Sequence, residues 1–222
     1  MRSVFWEFPL TGGLVLFLFW FFLIAIVLIP EPVLLKYFFS YPRDWNPLNW
    51  ILSTFMHGNF SHLFSNLLYL FLLGRAVEYK VGKSRFLLFY GMAAIVSAIL
   101  DSFVRGFLLG DNTPVVGASG AISGLAAVAA LLSPFSIRMG GINFPFPLFL
   151  SAGGSVYTDI TNVFENDNIA RWAHLGGFFS VFVTAYFLEE KERKKLKNGF
   201  ILNLVFFTLT LVLVYFWEAR LK

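Results

Sequence analysis

The chain has 222 residues, 58% of them hydrophobic and 14% charged, with a mean hydropathy of +0.72 and 29 phenylalanines. A soluble domain runs roughly 45–50% apolar and about 25% charged, so these values exclude an ordinary aqueous globule and imply an all-α polytopic membrane protein. The absence of cysteine excludes disulfides and thiolate metal sites, and the net charge of +4 is placed as a topology signal, with no nucleic-acid partner expected.

A membrane-spanning helix needs about 20 mostly apolar residues. Seven segments fit: about 12–30, 60–77, 86–105, 118–133, 142–158, 169–188 and 199–217. The first, "TGGLVLFLFWFFLIAIVLIP", is too long for the apolar region of a signal peptide and has no small-x-small site. It reads as a retained span. The fifth, "GINFPFPLFLSAGGSVYTDI", is interrupted by prolines and glycines. The expectation is a single membrane domain over residues 1–222, with a six-helix core at about 12–188 and one extra C-terminal span at 199–217. No soluble domain is expected before or after it.

Lys and Arg in short loops set orientation. One side collects eleven: Arg2, Arg75, Lys80, Lys83, Arg85, Arg138, Lys191, Arg193, Lys194, Lys195 and Lys197. The other collects six: Lys36, Arg43, Arg105, Arg171, Arg220 and Lys222. The balance places the N-terminus in the cytoplasm. The start of the chain has no transit-peptide character, which points to a prokaryotic plasma membrane.

With that topology, spans two, four and six run from outside to inside, and their first turns share one depth near the outer face. Those turns hold the polar residues. Span two opens "HGNFSHLFSNLLYL" with His57, His62 and Asn66; span four opens "GASG" with Gly117, Ser119 and Gly120; span six opens "ARWAHLGGF" with His174. The chain has only three histidines, and all of them fall here. His62 and Asn66, four apart, share one helix face. Strongly polar groups in a bilayer are costly and face the bundle interior for a reason.

This set permits acyl-transfer chemistry. A serine hydroxyl becomes a nucleophile when a base within hydrogen-bond reach takes its proton, and His174 is the candidate base. The oxyanion formed on a peptide carbonyl needs pre-placed donors. The Ser119 N–H, His62 and the Asn66 amide are available. Glycines at 117 and 120 allow close backbone approach. No carboxylate stands near His174 in sequence, so the expected arrangement is a Ser–His dyad. Gly120-x-x-x-Gly124 and Ala173-x-x-x-Gly177 are spacings at which membrane helices pack closely, which would bring spans four and six together.

In order, these motifs resemble the rhomboid intramembrane serine proteases. "HGNFSHLFSN" is similar to that family's H-x-x-x-x-H-x-x-x-N, "GASG" to its G-x-S-G, and "AHLGG" to its A-H-x-x-G. "GRAVEYKVGKSRF", with Glu78 in the matching place, resembles the stretch between helices two and three. The resemblance covers about residues 45–188 and implies a six-helix bundle, here with one span added. It implies Ser119 as nucleophile, His174 as base, and His62, Asn66 and the Ser119 N–H as the oxyanion hole. His57 would be a structural neighbour. It further implies no cofactor and no metal, with single-pass membrane proteins as substrates, cut near the membrane surface. Two positions depart from the pattern. Val181 stands where the last-helix motif usually has glycine, so spans four and six would be held apart or the bulk absorbed by small partners such as Ala127. Ser123 stands where an aromatic often stacks on the histidine.

Other readings are weaker. A catalytically inactive relative that only binds transmembrane helices would be expected to lack one of these groups. A transporter would carry polar residues at mid-depth in paired half-repeats. A metalloprotease would need H-E-x-x-H, and an aspartyl type two buried facing aspartates, whereas Asp101, Asp111 and Asp159 fall near loops. Glu78 reads as a structural acceptor for N–H groups or basic side chains. Asp101 and Arg105, four apart, read as a surface ion pair. Trp45 and Trp50 are expected in the headgroup belt.

Overall fold

The computed structural model describes residues 8–139, 142–165 and 169–221. Arg2 and Lys222, used in the charge balance, lie outside them. Helix α1 is Pro9–Leu28, α2 Glu31–Tyr37, α3 Pro47–Leu52, α4 Phe60–Asp101, α5 Ser119–Leu132, α6 Leu148–Thr161, α7 Arg171–Ala185 and α8 Glu190–Leu221. The protein has an all-α polytopic membrane fold. Among the described residues three helical stretches are long and apolar enough to cross a bilayer, Pro9–Leu28, Phe60–Leu108 and Glu190–Trp217, and Ser119–Leu132 is a shorter apolar helix.

Spans two and three are not separated by a loop. The basic segment stays helical, because Arg, Glu and Lys are good helix formers, and the break is confined to Gly82 at φ +76°. The two arms fold back there: a Cβ on Gly74 would lie 3.4 Å from Phe86. The second arm ends in a π-helical stretch, Ser102–Leu108. Helix α1 begins at a proline without a cap from its own neighbours. The orphan N–H groups that every helix start exposes are taken by Glu78 of α4: Leu10 and Thr11 donate at 3.2 and 2.8 Å, and the Thr11 hydroxyl at 2.7 Å. Glu78 is the structural acceptor expected.

The fifth span departs most from expectation. Residues 142–158 do not form one helix. Ile142–Pro145 is a strand paired antiparallel with Ser136–Met139, Ile137 opposite Phe144. The helix starts only at Leu148, after Pro147. Pro145 and Pro147 cannot donate backbone hydrogen bonds, and "INFPF" repeats with a period of two rather than 3.6. What remains is a 14-residue helix, short of a bilayer's thickness.

Helix α5 is the centre of the bundle, packed between α4 and α7, with Leu125 and Val128 fully buried. Small residues make this possible. A Cβ on Gly120 would strike Ser97 of α4, one on Gly124 would strike Ala93, and one on Gly177 of α7 would run into the Gly120 carbonyl. Val181 is 4% exposed within this core and leaves the Gly177–Gly120 contact closed; the α5–α7 separation it threatened does not occur. Helix α8 is anchored near its middle, where Asn203 donates to the Ala130 carbonyl at 2.8 Å and Phe206 packs on Phe135 and Phe149. Beyond that, Leu213, Tyr215 and Trp217 point outward, as lipid-facing residues do.

Candidate active site

The segment before α5 is clamped by the first loop. Ser40 and Val115 exchange backbone hydrogen bonds at 2.9 and 2.8 Å, and the Gly117 N–H donates to Ser53 O at 2.9 Å. The chain then turns through Gly117 at φ +119°, a conformation L side chains rarely adopt, and a Cβ there would lie 2.7 Å from the His62 ring. Both facts require glycine. The helix starts immediately afterwards at Ser119, so its first-turn N–H groups have no intrahelical acceptor.

Helix α7 brings His174 to the same place on its first turn. His174 Nε2 lies 3.0 Å from Ser119 Oγ, although the two are 55 residues apart. The Gly177–Gly120 contact one turn further along sets this approach. Helix α4 supplies the opposite wall. Asn59 caps it by accepting from the His62 N–H at 2.8 Å; His62 is half-buried and Asn66 is 5% exposed. Asn66 Nδ2 donates to the His62 carbonyl at 3.0 Å, which leaves its second N–H available. His62, Asn66, Ser119 and His174 all line one open cavity of about 860 Å³, whose outer rim includes Arg105, Asp111 and Trp172. Of the seven predicted site residues, Gly117 and Gly120 enforce close packing, His62, Asn66, Ser119 and His174 meet at the cavity, and His57 does not line it.

His57 stands behind them. It is 2% exposed in the loop ahead of α4, its ring 5.1 Å from His62 and 6.3 Å from Phe22, edge-on to both. Burial, with His62 beside it, pushes its pKa down to about 4, against a smaller opposing effect from the Phe55 backbone. Its folded value lies below its unfolded one. The unfolded chain therefore takes up the proton first, and the stabilising contribution, complete above about pH 6.5, is lost as the pH falls toward about 4. At 1.36 kcal/mol per unit this amounts to roughly 3 kcal/mol. Unfolding curves in detergent at pH 7 and 4.5 are expected to show a smaller acid-induced loss for His57→Leu than for the parent. Equal losses in the two proteins would mean that His57 is not buried neutral.

Three expectations need correction. Asp101 and Arg105 do pair, at 3.4 Å, but their side chains are only 6% and 14% exposed, and Arg105 also holds Asp111 at 2.6 Å. This is a cavity-wall network rather than a surface pair. On Asp111, which lies outside the spans, burial is outweighed by the Thr113 backbone N–H and the Arg105 guanidinium, which hold its pKa below the usual carboxylate value. Trp45 is exposed, whereas Trp50 is buried at 8%, because α3 packs against α4. Finally, a carboxylate does reach His174: Asp159 Oδ1 of α6 lies 3.3 Å from Nδ1. Sequence distance hid it, yet a signal existed. Phe149, Ala152, Val156 and Asp159 fall three, four and three apart, a single helix face, and an acid at the end of an inward stripe wants a partner.

Among the described residues no cluster of His, Cys, Asp or Glu has the form of a metal site. A family model described as "Rhomboid domain" matches residues 44–191. The chain is 31% identical over 140 residues to a Bacillus subtilis protein named "Putative rhomboid protease YdcA", covering 63% of this chain and 66% of that one. It is 35% identical over 82 residues to "Rhomboid-like protein 11, chloroplastic" of Arabidopsis thaliana, covering 37% and 28%. To the human "Presenilin-associated rhomboid-like protein, mitochondrial" it is 28% identical over 166 residues, covering 70% and 42%. The chain thus spans about two thirds or less of the length of these relatives.

Proposed function

Because the chain belongs to the rhomboid family, whose members are integral membrane proteins, we propose that it is an intramembrane serine endopeptidase that cuts single-pass membrane proteins in or near their transmembrane segments. The observation that carries this reading is the 3.0 Å contact between Ser119 Oγ and His174 Nε2 in an open cavity. In the first step Ser119 Oγ attacks the scissile carbonyl carbon while its proton passes to His174 Nε2. The Ser119 N–H, His62 and the Asn66 amide receive the oxyanion; one such donor is typically worth about 10²–10³-fold in rate. The tetrahedral intermediate collapses as His174 gives the proton to the leaving amine. Water from the cavity then repeats the sequence on the acyl-enzyme. No cofactor takes part. The eleven-to-six division of Lys and Arg supports a cytoplasmic N-terminus and a site opening to the outer face of the membrane.

Purified full chain in detergent is expected to cleave a single-span model substrate, and Ser119→Ala to reduce cleavage to background with an unchanged melting temperature. Equal cleavage by the two proteins overturns the assignment. A folded parent that binds the substrate without cutting it favours a helix-binding, non-catalytic relative.

A further inference from the structure

We propose that Asp159 is the positioning residue for His174, so that the site works as a Ser–His–Asp triad rather than a dyad. This rests on the protease reading above.

The two ring nitrogens of His174 face different partners: Nε2 faces Ser119 Oγ at 3.0 Å and Nδ1 faces Asp159 Oδ1 at 3.3 Å. An ionised carboxylate can only accept. A hydrogen bond to it places the imidazole proton on Nδ1 and leaves a lone pair on Nε2, aimed at the hydroxyl. That is the tautomer a general base needs. The distance is longer than the 2.7–2.9 Å or so of a charge-assisted bond, and it has room to tighten as the ring takes up the Ser119 proton and the carboxylate faces a cation.

Asp159 is placed for this role. It is buried, its side chain 10% exposed, on the face of α6 that also buries Phe149 and Ala152. Burying a carboxylate without a partner is costly, and His174 is the partner that the described residues give it. Other ionisable groups also face the His174 ring. From α4 come His62 and Asp101, both close enough to interact with it electrostatically. Asp101 is engaged by Arg105, and Arg171, on His174's own helix, pairs with Glu165 at 3.8 Å. From α5 comes the Ser119 hydroxyl. Asp159 is the carboxylate that meets the ring nitrogen directly. The chain order Ser119, Asp159, His174 arises here on a helical scaffold, in line with the rule that such triads are defined by geometry rather than by fold.

The test uses the full chain in detergent, as parent, Asp159→Asn and Asp159→Glu. Three quantities are read: the rate of Ser119 labelling by a fluorophosphonate, kcat and KM on a single-span substrate, and the imidazole ¹⁵N spectrum. The spectrum is tractable because the chain has three histidines. Asp159→Asn keeps the shape and removes the charge. It is expected to slow labelling and lower kcat by roughly 10²–10⁴-fold, with KM within about twofold of the parent. Its His174 proton should move from Nδ1 to Nε2, and Asp159→Glu should recover part of the rate. Labelling and kcat within about threefold of the parent, or a change confined to KM and melting temperature, overturns the proposal, as does a parent spectrum with the His174 proton on Nε2. A parent inert toward both probe and substrate overturns the protease reading and this role with it. An active parent with an unaffected Asp159→Asn overturns this role alone.

Discussion

His174→Ala is expected to lower cleavage of a single-span substrate by at least about 10⁴-fold, the scale on which serine hydrolases lose activity when their base is removed. Unlike Ser119→Ala, it is also expected to lower stability. Ser119 is half-buried beside an open cavity, and water can replace its hydroxyl. His174 holds the carboxylate of Asp159, 10% exposed, at 3.3 Å. Removing the ring leaves that group buried without its partner, which costs about 1–3 kcal/mol. Thermal unfolding in detergent should therefore rank the parent and Ser119→Ala together, with His174→Ala several degrees lower. The double variant His174→Ala with Asp159→Ala should regain part of the difference. Cleavage by His174→Ala above a tenth of the parent rate would remove the histidine from the chemistry.

Gly177→Ala is expected to damage both packing and catalysis, although residue 177 lies outside the cavity. Its Cβ would run into the carbonyl of Gly120 and come within 3.1 Å of the Gly124 nitrogen. Both obstacles are helix backbone, which cannot swing aside as a flexible side chain can. Helices α5 and α7 must separate instead. Overpacking of this kind typically costs about 1–3 kcal/mol, and a displacement of about 1 Å between reacting groups can cost on the order of 10²-fold in rate. Gly91→Ala is the matched control, since a Cβ there meets nothing within 4 Å. Cleavage rates and melting temperatures of the two variants should diverge, with Gly91→Ala near the parent. If Gly177→Ala behaves like Gly91→Ala, close α5–α7 packing does not set the site.

What could be read from the sequence follows from the range of each signal. Apolar length located α1, both arms of α4 and α8, and small-residue spacing in α5 and α7 foretold the contact that the Gly120 and Gly177 backbones make. The three histidines and Ser119 stood out because polar groups at helix starts are conspicuous in so apolar a chain. Hydropathy failed where it was insensitive to backbone chemistry. It scored Ile142–Pro145 as part of a span, although the prolines there favour an edge strand over a helix. It also read residues 78–85 as a loop, although charged residues sustain a helix and only Gly82 interrupts it. Trp50 and Asp101 were assigned to the surface because their burial is imposed by other elements, α4 against α3 and the cavity wall. Asp159 escaped because its partner is 15 residues away on another helix, even though its place on an inward stripe marked it.

The most direct measurement is fluorophosphonate labelling of the purified chain followed by peptide mass analysis, with Ser119→Ala alongside. A single adduct on Ser119 is expected in the parent and none in the variant, because only a hydroxyl activated by His174 reacts at a useful rate. Equal labelling of both proteins, or a folded parent that takes up no probe, would contradict the protease reading.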